Sequence, residues 1–201
     1  MAEDAQEAGH SPDPGPPPPV HAPVELPLEA EAFYLAREQP YRSYAQAHLG
    51  NRRLAEEVVH RVFDELLATW EELLREGQLE QRAWGVLRRT VREELEYEGR
   101  LPAYLVDGPV AVLLRAAQDR LAELDSVHGV FTAIAQLPPR QCDVIVLRHI
   151  LGHSTRAVAG FMGLDERTVD YHHRRAKERL RVLLRLPADP APGPSQEEEH
   201  P

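Results

Sequence analysis

The sequence predicts an all-α protein: two small helical domains joined by a linker, the C-terminal one a helix-turn-helix. Three observations carry that expectation. Apolar residues recur at three- and four-residue spacing through most of the chain, and no alternating strand pattern accompanies them. A stretch at 99–110, with Gly99, Pro102, Gly108 and Pro109, interrupts the periodicity between two helical runs. Near the C-terminus, Ala159, Gly163 and Val169 stand at i, i+4 and i+10. There a small residue suits a helix crossing, a glycine the turn and a branched apolar residue the lock on a second helix.

The elements follow in order. Residues 1–30 are acidic and proline-rich, and proline both fixes φ and removes a donor, so a disordered tail is expected. Residues 31–98 read as a helical domain. Its first helix carries Phe33, Tyr41 and Tyr44 as core candidates, is interrupted at Pro40 by a kink or a new start, and ends at Gly50-Asn51. From Leu54 to Leu74 apolar residues again fall on one face, with Glu56, Glu57, Arg61, Asp64 and Glu65 on the other. A third helix, Leu79 to Leu95, buries Leu79, Ala83, Trp84, Leu87, Val91 and Leu95; Trp70 and Trp84 lie on apolar stripes and are expected in the core. Residues 99–125 are read as a linker and connecting helix, and 126–186 as the helix-turn-helix domain. Residues 187–201, with the run Glu197-Glu198-Glu199, form a second disordered acidic tail.

Inside the C-terminal domain the punctuation is specific. Pro138-Pro139 suits a helix start, where a missing amide costs nothing, and Gly152 stops that helix after Val144, Ile145, Leu147 and Leu151. Ser154 is placed to cap a short helix through Met162, Gly163 to make the left-handed turn, and Asp165 to cap a longer helix from Glu166. Val158, Met162 and Leu164 complete the motif's core. The second helix then presents Thr168, Tyr171, His172, Arg174 and Arg175, preceded by Arg167, toward bases and phosphates of a major groove. Lys177, Arg179 and Arg181 extend the basic surface. Asp170 is the exception: a carboxylate there repels phosphate, although it can accept from a cytosine amino group.

Composition narrows the function. The net charge is -10, yet residues 140–186 hold nine Arg and one Lys against five acids, whereas residues 1–32 hold seven acids and no base. Attraction to phosphate acts over about one Debye length, roughly 8–10 Å, so the local excess outweighs the whole-chain sign. A single cysteine, Cys142, rules out an intrachain disulfide and suits a reducing cytoplasm. No secretion signal is expected, no apolar run is long enough for a bilayer, and no membrane partner is implied. No catalytic constellation, phosphate loop or cofactor motif is visible, so no enzyme is expected. His149 and His153 stand at i, i+4 near Cys142, but no further ligand completes the set and Gly152 breaks the helix between them; no metal is expected.

These residues bear a resemblance. Leu137-Pro138-Pro139-Arg140-Gln141, Val144-Ile145-Val146-Leu147-Arg148, Arg167-Thr168-Val169 and Arg174-Arg175-Ala176-Lys177-Glu178-Arg179-Leu180-Arg181 resemble region four of sigma factors, which binds the minus-thirty-five promoter element. The small extracytoplasmic-function type, built from regions two and four, is the most similar group. Ala55-Glu56-Glu57-Val58-Val59-His60-Arg61-Val62-Phe63 is similar to the region-two helix that docks on the polymerase clamp. The resemblance therefore implies Glu56, Glu57, His60, Arg61 and Asp64 as polymerase contacts. Arg82-Ala83-Trp84-Gly85-Val86-Leu87-Arg88-Arg89 resembles the helix that meets the minus-ten element, implying Arg82, Arg88, Arg89 and Arg92 as DNA contacts. The likeness spans about residues 31–186 and is strongest from Leu137 to Leu184.

It also has departures. The family's usual Asp-Leu-Val-Gln run is Glu57-Val58-Val59-His60 here, and its Glu-Ile-Ala run is Ala157-Val158-Ala159. Where basic residues usually follow Arg89, this chain has Glu93, Glu94, Glu96 and Glu98, which repel a melted strand. A glycine is usual at Arg167, a basic residue at Asp170 and an aliphatic one at His173. The implied partners are promoter DNA, RNA polymerase core and an anti-sigma protein. Two other readings stay open. One is a helix-turn-helix regulator that does not hold polymerase, because Arg167-Thr168-Val169 with Tyr171-His172 is also similar to response-regulator-type activators. The other is a degenerate sigma-like module that binds only proteins.

Overall fold

A computed structural model describes residues 26–106 and 129–186, and every regular element in it is helical. The tails before residue 26 and after residue 186, and the predicted linker from residue 107 onward, lie outside the described residues.

Helix α1 spans Leu28–Leu49 and α2 spans Arg52–Ala68. Gly50, at φ 67°, ends the first, and Asn51 caps the second by accepting from the Leu54 amide. Pro40 neither ends nor restarts α1, which corrects the expected new start. Phe33 and Tyr34 before it and Tyr41 after it all pack on Phe63 of α2, so burial on both sides offsets the roughly 3 kcal/mol that an interior proline costs. The stripe from Leu54 to Leu74 divides at Thr69 into α2 and α3, the latter spanning Trp70–Glu76. The break turns Trp70 inward, 5.8 Å from the Phe33 ring. Helix α4 spans Leu79–Tyr97 and buries Ala83, Trp84, Leu87, Val91 and Leu95, as its periodicity predicts, while Leu79, expected in the core, is only half-buried at the helix start.

After Gly99 a single helical turn, α5 (Ala103–Val106), seats Ala103 and Tyr104 in the core. Residues 129–135 are helical, and Phe131 and Ile134 are buried. Helix α6 spans Pro139–Ile145 with proline in its first turn. It runs directly into a π-turn, Val146–Ile150, where the Leu151 amide reaches back five residues to the Val146 carbonyl at 2.9 Å. Helices α7 (Thr155–Met162) and α8 (Glu166–Leu183) form the helix-turn-helix.

One buried carboxylate joins the two halves. Asp143 of α6 is 2% exposed and accepts from the Tyr44 hydroxyl at 2.8 Å, the Trp84 indole at 3.0 Å and Arg88 at 3.4 Å. All three donors come from α1 and α4. Burial still pushes the Asp143 carboxyl above its ordinary range, against the pull of those donors. Beside it, Tyr104 meets Cys142 at 3.6 Å, and burial pushes that thiol up to about 11. His48, also buried, donates from Nδ1 to the Tyr44 carbonyl at 2.9 Å; burial holds it neutral, its pKa lowered to about 4.

Candidate nucleic-acid interface

The helix-turn-helix is built by local chemistry. Ser154 accepts from the Ala157 amide at 3.2 Å, and Asp165 accepts from the Thr168 amide at 2.8 Å, so both helices begin where the sequence places their caps. The Thr168 hydroxyl also donates to Asp165, at 2.7 Å, and these Thr168 bonds hold the Asp165 carboxyl below its usual range. Gly163 takes φ 62° and donates to the Ala159 carbonyl. It is needed a second time for space: a Cβ there would lie 2.5 Å from the Gln81 amide of α4. Across that approach Gln81 donates to the Gly163 carbonyl at 2.9 Å.

Val169 and Ala176, both 0% exposed, turn one side of α8 inward against Val158, Ala159 and Met162. The other side therefore faces solvent. Arg167, Tyr171, Arg174, Arg175 and Lys177 are all exposed, while Thr168, His172 and His173 are half-buried. The Arg175 guanidinium lies 5.7 Å over the Tyr171 ring and donates to Glu178 at 2.9 Å. Arg167, Arg174, Lys177 and Arg179 form no ion pair among the described residues. Tyr171, Arg174, Arg175 and Glu178 line an open groove on this surface. Burial and the nearby Arg140 lower the His172 pKa and favour the neutral ring, whose Nδ1 has no partner.

Asp170 is exposed but directed sideways. Its Oδ1 receives Arg148 at 3.4 Å and the Thr155 hydroxyl at 3.5 Å. One turn on, His173 Nε2 meets His149 Nε2 at 2.8 Å. His153, the partner weighed for His149 in the sequence, instead packs edge-on against Phe161. Among the described residues no group of three or more His, Cys, Asp or Glu could hold a metal ion, and no helix is long and apolar enough to cross a membrane.

The second arginine-bearing helix is in a different electrostatic state. On α4, Arg82 pairs with Glu76, Arg88 with Asp143, Arg89 with Glu65 and Glu93, and Arg92 with Glu96. Every candidate DNA contact of α4 therefore already has a carboxylate partner. On α2, Glu56, Glu57, His60, Arg61 and Asp64 share the side away from the buried Val58, Val59 and Val62. Glu56 pairs with Arg52, which lowers its carboxyl pKa; Glu57 pairs with Arg53 and Arg61 with Glu94.

Sequence reasoning passed over Asp143 and Gln81, which join elements, and gave Arg148 and His149 no link to Asp170 and His173. Asp143 did leave a trace, an acid set immediately before the apolar run Val144–Leu147.

The segment that carries this geometry, residues 130–180, matches the family model for sigma-70, region 4. Two solved structures are similar to the chain. One is CnrH in complex with the cytosolic domain of CnrY, at 17% identity and a TM-score of 0.43, over 78% of this chain and 87% of that one. The other is the sigma factor RpoE in complex with the anti-sigma factor NepR from Bartonella quintana, at 16% identity and a TM-score of 0.40, over 80% and 99%. No curated protein matches the chain in sequence.

Proposed function

We propose that this protein is a sigma factor that directs RNA polymerase core to promoters and initiates transcription there, with α8 reading the minus-thirty-five element. The observation that carries the reading is the exposed basic face of α8, seated by Val169 on a capped helix-turn-helix within the segment that matches sigma-70, region 4. Arg174, Lys177 and Arg179 have no ion-pair partner among the described residues and are available to phosphate, while Arg167, Thr168, Tyr171 and His172 lie toward the front of the helix, where base edges are reached. Arg175, aligned by Tyr171 and Glu178, is held in one direction before DNA arrives. Polymerase is met by the outer face of α2, at Glu56, Glu57, His60, Arg61 and Asp64. The protein acts in the cytoplasm, and an anti-sigma protein is a further partner.

Reading of the minus-thirty-five element by α8 needs no opening, whereas engagement of α4 with the minus-ten element as well would require it. The two promoter elements lie about 25 base pairs apart, roughly 85 Å at about 3.4 Å per step. Here α4 and the turn of the helix-turn-helix are in hydrogen-bond contact through Gln81 and Gly163. For α4 to reach a second element on the same duplex, that contact and the Asp143 junction would have to part.

The ion pairs along α4 favour a second reading, a helix-turn-helix regulator that binds DNA without opening it or holding polymerase. Transcription in vitro, with purified core polymerase and a promoter library, separates the two. Promoter-dependent transcripts that need this protein support the sigma reading. DNA binding without transcripts supports the regulator, and the absence of both points to a module that binds only proteins.

A further inference from the structure

Two flanks of α8 are used differently. Arg167, Tyr171, Arg174 and Arg175 are exposed to solvent, while Asp170 and His173, one turn apart, meet consecutive residues of the π-turn. We propose that Asp170 and His173 are positioning residues for DNA reading: clipped to Arg148 and His149, they fix how the recognition helix sits on its support and do not themselves contact bases. The proposal rests on the DNA reading of α8 and adds what aims it.

Several observations converge. Asp170 joins three elements at once, since its Oδ1 receives Arg148 of the π-turn and the hydroxyl of Thr155, the first residue of α7. A carboxylate at that first turn also faces the positive end of the α7 dipole. The imidazoles of His149 and His173 lie 23° from parallel with Nε2 atoms 2.8 Å apart, so one ring donates and the other accepts. That bond needs the accepting ring neutral. Burial first, then Arg148 and Lys177, lower both pKa values, while Asp170 acts the other way on His173. The π-turn supplies both contacts from adjacent positions, and such turns are frequent at functional sites. The clip also accounts for two departures in the sequence. A carboxylate stands where a basic residue is usual and an imidazole where an aliphatic one is usual, and Arg148 and His149 meet them.

The sign of one substitution separates this from simple electrostatics. If Asp170 only repels phosphate, Asp170→Asn tightens DNA binding; if it aims the helix through Arg148, the same change weakens it. The probes are the duplex that the full-length wild-type protein enriches from a randomised pool, and a scrambled duplex. For Asp170→Asn and His173→Ala, affinity for the enriched duplex should fall roughly two- to fivefold, as suits a partly exposed pair. Scrambled-duplex affinity and the salt slope should stay unchanged. Asp170→Asn should add nothing in an Arg148→Ala background, nor His173→Ala in a His149→Ala background. Tighter binding by Asp170→Asn, or relaxed preference at a single base pair in either variant, overturns the clip and leaves the DNA reading standing. If the wild-type protein enriches no sequence and binds neither duplex, the DNA reading falls and the clip with it.

Discussion

Helices α4 and α8 each carry a row of arginines, and they differ in how many of those arginines the protein itself neutralises. Along α4 the charges are cancelled within the protein, by Glu93 and Glu96 one turn on and by Glu65, Glu76 and Asp143 from elsewhere. Along α8, Arg167, Arg174, Lys177 and Arg179 have no ion pair among the described residues, the acids Asp165 and Asp170 are turned to Thr168 and Arg148, and Glu178 holds Arg175. Arginine content alone therefore does not mark a nucleic-acid surface. What marks it is whether the acids nearby are occupied with something else. Counterion release rewards only cations not already neutralised by the protein.

The largest effect should come from removing the seat of α8. Val169→Asp places a carboxylate at a position with 0% exposure, so the helix-turn-helix should lose about 3 kcal/mol or more and DNA binding should vanish. Urea unfolding followed by circular dichroism checks it; near wild-type stability would mean that Val169 does not lock α8.

Next comes the junction that holds α4. Asp143→Ala strands the buried Tyr44 hydroxyl and Trp84 indole, and stability should fall by about 2–4 kcal/mol. The salt slope of DNA binding should not change, because α8 is untouched. A changed slope would tie the junction to DNA reading and blur the contrast between the helices.

His48 makes the same junction sensitive to acid. Its folded pKa, about 4, lies below the unfolded value, so the unfolded chain binds the proton first as pH falls. The stability this provides is complete above about pH 6.5 and is lost between there and about pH 4, up to roughly 3 kcal/mol in all. Denaturant unfolding at about pH 7 and about pH 4.5 should show His48→Gln losing less on acidification than wild type. An equal loss in both would assign the acid sensitivity to other groups.

A smaller effect is expected on α4 itself. Glu93→Gln with Glu96→Gln frees Arg89 and Arg92 of their neighbours on α4, and affinity for single-stranded DNA at low salt should rise roughly two- to fivefold. If affinity does not rise, pairing with Glu96 is not what silences Arg92.

Much of this contrast could be read before any coordinates, and what could not has a physical reason. Helix ends were legible because their signals are local: Ser154, Asp165, Gly50 and Gly163 each act on an amide or a dihedral a few residues away. The pairs Arg89–Glu93 and Arg92–Glu96 follow from i, i+4 spacing. Arg82–Glu76, Arg89–Glu65 and Arg88–Asp143 link separate elements and needed the packing of α4 to become visible. Pro40 misled because a local rule met aromatic burial on both sides of it. The basic face of α8 was legible from composition. The sideways turn of Asp170 was not, since Arg148 lies 22 residues away in sequence on a π-turn that no spacing announces.

The most direct test of the central claim is DNA affinity against salt for three forms of the full-length protein: wild type, Arg174→Ala with Arg175→Ala, and Arg82→Ala with Arg89→Ala and Arg92→Ala. The α8 pair should lower the salt slope by about one for the unpaired Arg174 and by less for Arg175, which Glu178 already holds, and the α4 triple should leave it unchanged. A slope preserved in the α8 variant and reduced in the α4 variant would contradict it and place the DNA surface on the other helix.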